Sequence, residues 1–99
     1  MQTAVRMDKD LIVAFCERNH IAKLALFGSV LRGDFGPDSD IDVLVEFKSG
    51  HTPGLRFFSL QRELAEVLGR QVDLNTEQDL SPYFRQHVLD NAEYIYVAS

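Results

Sequence analysis

The stretch Asp40-Ile41-Asp42-Val43-Leu44-Val45-Glu46-Phe47 limits what this chain can become more than any other. Its length and its β-branched, apolar content favour a strand over a helix. Residues two apart in a strand share a face, so the carboxylates of Asp40 and Asp42 project together, roughly 7 Å apart along the backbone. Two ionised carboxylates so placed repel each other, and a divalent cation between them removes that penalty. Mg²⁺ suits the arrangement, because it keeps waters and takes one or two carboxylates together with substrate phosphates. Ten residues separate Asp40 from Gly28-Ser29, which ends the apolar run Leu24-Ala25-Leu26-Phe27. Ser29 then opens a helical turn, Ser29-Val30-Leu31-Arg32, closed by Gly33. A strand-to-helix turn leaves backbone N–H groups unpaired, which suits an anionic phosphate. Gly28 removes the side chain that would block close approach, and the Ser29 hydroxyl caps the turn or bonds a phosphate oxygen. Together these residues outline a site that holds a nucleoside triphosphate through its metal.

The rest of the chain alternates helix and strand, the pattern of an α/β domain. Asp8 is expected to cap a helix whose apolar stripe carries Leu11, Ile12, Phe15 and Cys16. The first strand is expected over residues 21–27. A long amphipathic helix follows the break at residues 48–54, with Leu55, Phe58, Leu60, Leu64, Val67 and Leu68 as its stripe and Gly69 as its end. Phe57-Phe58 and the leucines after them are read as packing residues, with Phe57, off the main stripe, also able to contribute to a partner surface. A brief third strand is expected over residues 71–74. Ser81-Pro82 predicts a last helix reaching about Ala92, with Ser as N-cap and Pro in first position. Tyr94-Ile95-Tyr96-Val97 is expected to close the sheet as an edge strand, with Tyr83, Tyr94 and Tyr96 read as packing residues rather than as acceptors of AMP themselves.

Asp73 is the third acidic candidate. It lies between Val72 and Leu74 and so faces away from both. On a strand beside the one carrying Asp40 and Asp42, it would add a third carboxylate, allowing a second metal and a base for the acceptor's proton.

Ninety-nine residues allow one domain, 1–99, and leave no room for a separate acceptor-binding domain. A net charge of −5 gives no basic footprint for nucleic acid. The lone Cys16 excludes an internal disulfide and is expected in the core. No apolar run approaches the length of a membrane span, and charged residues interrupt the N-terminus where a signal peptide would need apolar ones. A cytoplasmic location is expected. Asp38, Asp40 and Asp42 have the spacing of an EF-hand start, but Val43 stands where glycine is required and Ser49 where glutamate is required. His20, His51 and His87 lack metal-ligand spacing.

Gly28-Ser29, the ten-residue gap, Asp40-Ile41-Asp42 and the later Asp73 resemble the signature of the DNA polymerase beta-type nucleotidyltransferase superfamily, specifically its minimal nucleotidyltransferases. The resemblance covers nearly the whole chain, from Ile21 to Val97. It implies a small mixed sheet of about four strands flanked by helices, of α/β (α+β) class. It also implies transfer of a nucleoside monophosphate from a triphosphate to a hydroxyl, with ATP as the expected substrate. By that likeness Gly28 and Ser29 hold the β- and γ-phosphates, Asp40 and Asp42 ligate two Mg²⁺ ions, and Asp73 completes the catalytic metal site. Arg32 is placed to reach a phosphate or the leaving pyrophosphate, or to lie on the surface with its stem on Phe35. Such minimal nucleotidyltransferases are commonly paired with a HEPN-domain ribonuclease toxin, which implies an antitoxin that adenylylates a toxin tyrosine in a hetero-oligomer. An acidic surface would suit a basic RNA-cleaving partner. Two other readings stay open: an antitoxin that neutralises by binding alone, and a transferase acting on small molecules such as aminoglycosides.

Overall fold

Hydrophobic alternation in two neighbouring strands sets the architecture. Leu24 and Leu26 of β1 (Ile21–Phe27) face Val45 and Val43 of β2 (Ile41–Phe47) in antiparallel register, and all four are buried on one side of the sheet. A computed structural model describes residues 7–32, 36 and 39–98 of the chain, with Ser29 and Arg32 described by backbone only. The elements run α1 (Lys9–Arg18), β1, α2 (Ser29–Arg32), β2, α3 (Phe57–Leu68), β3 (Val72–Asn75), α4 (Arg85–Asn91) and β4 (Glu93–Val97). Single 3-10 turns over Gly54–Arg56 and Glu77–Asp79 precede α3 and α4 respectively. The four strands form one mixed sheet in the order β3-β2-β1-β4, with β3 parallel to β2 and the other pairs antiparallel. The α/β class and the mixed four-stranded sheet expected from the sequence are both present. Among the described residues, no helix is long and apolar enough to cross a membrane.

The main core lies on the sheet face covered by α1 and α3. Phe15 and Cys16 of α1 and Leu60, Leu64 and Leu68 of α3 pack there against Leu24, Ile41, Val43 and Val72. Each such side chain stabilises the fold by roughly 1.5–3 kcal/mol through removal from water. Asp8 caps α1 as expected, accepting from the Leu11 N–H at 3.2 Å. Gly69 ends α3 in the left-handed region (φ 75°), its N–H donating to Ala65 O. The α3 side chain of Gln61 reaches the outer edge of β3, where its Oε1 accepts from the Leu74 N–H at 2.9 Å. On the opposite sheet face a smaller cluster of Ala25, Leu44, Leu80 and Val88 holds α4 down.

The structure corrects several sequence expectations. The α3 stripe is shifted: Phe57 packs against the core, while Leu55 and Phe58 are 89% and 63% exposed. The α-helix starts at Phe57 after the tighter turn, and at 100° per residue Leu64 and Leu68 each fall within about 20° of Phe57, whereas Phe58 does not. Leu11 is on the outer side of α1, beyond the buried stripe of Ile12, Phe15 and Cys16. The last helix begins at Arg85 rather than at Ser81-Pro82. Ser81 O instead accepts from Phe84 N and Arg85 N, closing a turn on which Tyr83 is fully exposed rather than packed.

Candidate active site

The sheet face that bears α4 also carries the polar residues. Phe27 and Asp42 are register partners across β1 and β2, and Asp42 and Asp73 are partners across β2 and β3. The strand adjacency expected for Asp73 is therefore present, and the β3 burial pattern turns Asp73 outward between buried Val72 and Leu74. Asp40 lies immediately before β2 and is exposed. Backbone register thus puts Asp42 and Asp73 side by side with Asp40 at the strand entrance. The side chains are less gathered than the sequence suggested. Among the described residues, no three His, Cys, Asp or Glu side chains stand together as a ready-made metal cage. Mg²⁺ needs only one or two carboxylates when phosphates supply its other ligands.

Gly28 is built into this cluster. Its φ is 78°, and a Cβ built on it would meet the Asp42 carboxylate at 2.2 Å. Only glycine lets the backbone turn there with the carboxylate lying against it. The helical turn expected after it is present as α2, Ser29–Arg32. The roles expected of the Ser29 and Arg32 side chains, and the closing Gly33, lie outside the described residues.

The loop into β2 is held from the far side of the sheet. Arg70, directly after the glycine that ends α3, donates to Gly36 O at 2.8 Å and Ser39 O at 2.9 Å. Ile41 N donates to Gln71 O at 2.9 Å, so the residues on either side of Asp40 are both tied to the β3 entrance. A cavity of about 520 Å³ opens beside Asp42, lined by Gly28, Leu31, Asp42, Phe84, His87 and Asn91 among others. His87, Val88 and Asn91 of α4 and its N-cap residue Phe84 recur at i, i+3, i+4 and i+7, one stripe along the helix. Neither Arg70 nor this stripe was singled out from the sequence, although the helical spacing of the four residues was a usable signal. A second cavity of about 490 Å³ lies toward the other end of the same strands, between Lys23, Phe47, Thr76 and Tyr94, away from Gly28 and Asp42. His20 and His51 stack with ring centroids 4.1 Å apart, and His87 is in the α4 stripe.

A profile of the nucleotidyltransferase domain matches residues 9–95. The chain belongs to the nucleotidyltransferase domain family. Within that family it is similar to Protein adenylyltransferase MntA of Thermococcus cleftensis, at 35% identity over 80 residues, covering 80% of this chain and 79% of the relative. The same fold occurs in a crystal structure of a toxin–antitoxin with AMP-PNP, at TM-score 0.71 and 23% identity, covering 93% of this chain and 75% of that one. It occurs again in a complex of tri-AMPylated Shewanella oneidensis HEPN toxin with MNT antitoxin, at TM-score 0.63 and 23% identity, covering 91% of this chain and 70% of that one. The minimal-nucleotidyltransferase likeness drawn from Gly28-Ser29, Asp40, Asp42 and Asp73 thus agrees with the family of the whole chain. In this nucleotidyltransferase the two strands carrying the acidic residues are the parallel pair of the sheet.

Proposed function

We propose that this nucleotidyltransferase, working as one domain over residues 1–99, transfers AMP from ATP to a tyrosine hydroxyl of a cognate HEPN ribonuclease toxin and so acts as its antitoxin. The observation that carries the reading is the Asp42–Asp73 register beside Gly28. Support comes from the name of the Thermococcus cleftensis relative and from the AMPylated toxin in the Shewanella oneidensis complex.

In the proposed reaction the tyrosine oxygen attacks the α-phosphorus of ATP. A new P–O bond forms, the bond to the β-phosphate oxygen breaks, and pyrophosphate leaves. The backbone turn at Gly28 lets the phosphates lie close to the chain, with Ser29 and Arg32 as further phosphate ligands. Asp73, exposed at the strand edge, takes the phenolic proton. Asp40, Asp42 and Asp73 offer hard carboxylate oxygens that fit Mg²⁺, with substrate phosphates completing its shell. Two such ions when bound would neutralise charge on the attacking and leaving oxygens. Positioning and charge stabilisation account for nearly all of the catalysis in phosphoryl transfer, so the chain needs little else.

The test is incubation of the protein with ATP, Mg²⁺ and its toxin, followed by mass spectrometry of toxin peptides. Addition of adenylyl groups to a tyrosine is expected, and an unmodified toxin counts against the proposal. Neutralisation retained by an Asp40→Asn, Asp42→Asn double variant would favour an antitoxin that works by binding alone.

A further inference from the structure

We infer that α4 reads the base of the nucleotide, with Phe84 stacking on the ring and the Asn91 side-chain oxygen accepting the exocyclic amine of adenine. This rests on the nucleotide-transfer reading above and supplies the part that the carboxylates cannot, the choice of base. The cavity of about 520 Å³ starts at Gly28 and Asp42 and runs along the α4 stripe, and its volume lies in the range of small-molecule sites. Its walls include Phe27, Leu31, Phe84 and Val88. An anionic triphosphate with its metal gains nothing from such walls, whereas a flat, mostly apolar base does. Leu31 and Phe84 are 37% and 48% exposed, so large apolar groups stand bare where a base would cover them.

The orientation of Asn91 gives the site its sign. Asn91 Nδ2 donates to His87 O at 2.8 Å, one turn back in α4. A backbone carbonyl only accepts, so the amide nitrogen must face it, and Oδ1 is the remaining polar atom of a side chain that lines the cavity. No hydrogen bond to Oδ1 is formed within the described residues. Adenine offers an amine donor at this edge, while guanine offers a carbonyl oxygen that would meet Oδ1 lone pair to lone pair. A site that hydrogen-bonds one group discriminates strongly against an analogue lacking it.

The test is equilibrium binding, with Mg²⁺, of non-hydrolysable triphosphate analogues carrying adenine, guanine or unsubstituted purine, the last lacking only the amine. The wild-type protein should bind the adenine analogue about tenfold more tightly than either of the others. Asn91→Leu should bring the three within about twofold, and Phe84→Ala should weaken all three about tenfold while keeping their order. An Asn91→Leu protein with an unchanged melting curve and undiminished preference for adenine would overturn the inference. If that variant does not fold, equal wild-type affinity for the adenine and purine analogues overturns it instead. A wild-type protein that binds no triphosphate sinks the transfer reading as well. One that adenylylates its toxin yet uses purine riboside triphosphate equally well sinks the base reading alone.

Discussion

Gly28 and Asp42 occupy one another's space: the Asp42 Oδ2 atom sits 2.2 Å from where a Cβ on residue 28 would be. Backbone φ at Gly28 is 78°, so any side chain there is strained as well as crowded. Gly28→Ala should therefore cost about 1–3 kcal/mol of stability. It should also displace the Asp42 carboxylate, lowering transfer activity about 100-fold. Thermal melts and toxin adenylylation measured on the same preparation check both, and an alanine variant of normal activity would refute the assignment.

Asp42→Asn and Asp73→Asn keep side-chain shape while removing the charge that a hard cation requires. Each should abolish detectable AMP transfer while the chain still folds with an unchanged circular dichroism spectrum. Circular dichroism spectra beside an ATP-consumption assay separate these effects.

Arg70 touches no proposed substrate atom, yet its guanidinium spans Gly36 O and Ser39 O just ahead of Asp40. Both bonds leave from the one nitrogen Nη2, at the tip of a side chain longer than lysine's. Arg70→Lys should lower kcat about tenfold, with a stability loss of roughly 1 kcal/mol and a raised Mg²⁺ requirement, since the entrance to β2 loosens. A Mg²⁺ titration of activity in which the variant matches the wild type would remove Arg70 from its positioning role.

Burial pushes the Cys16 thiol up to about 12, and the charge of Glu17 adds to the effect. The folded chain then holds this proton more tightly than the unfolded chain, whose thiol titrates near 9.0. The resulting stability is fully present below pH 9 and is lost as pH rises toward 12. Denaturant midpoints of wild type minus Cys16→Ala should fall across that window, and thiol alkylation at neutral pH should require unfolding. Rapid labelling of the folded protein would contradict the burial argument.

Much of this fold was legible because its strands are short runs bounded by glycine or turn residues. The site outline was legible because Gly28, Asp40, Asp42 and Asp73 each sit at a strand end where chemistry and geometry coincide. What the sequence hid came from competition between neighbouring apolar residues. Leu55 and Phe58 are as hydrophobic as Phe57, and only the 3-10 turn over Gly54–Arg56 fixes which of them faces inward. The start of α4 was hidden by Ser81-Pro82, a strong local start signal that the chain spends on a turn instead. The Thr76–Asp79 capping box, with Thr76 N donating to Asp79 Oδ2, shows another short-range signal of the same kind. The α4 wall of the cavity and the Arg70 brace depend on contacts between distant segments, which spacing alone does not reveal.

The Gln61 amide seated on the Leu74 N–H has a consequence for how an acceptor protein can arrive. A visiting strand would need that outward-facing donor to add itself alongside β3, and it is already taken. An incoming polypeptide that lengthened the sheet next to Asp73 would first have to displace Gln61 from that donor.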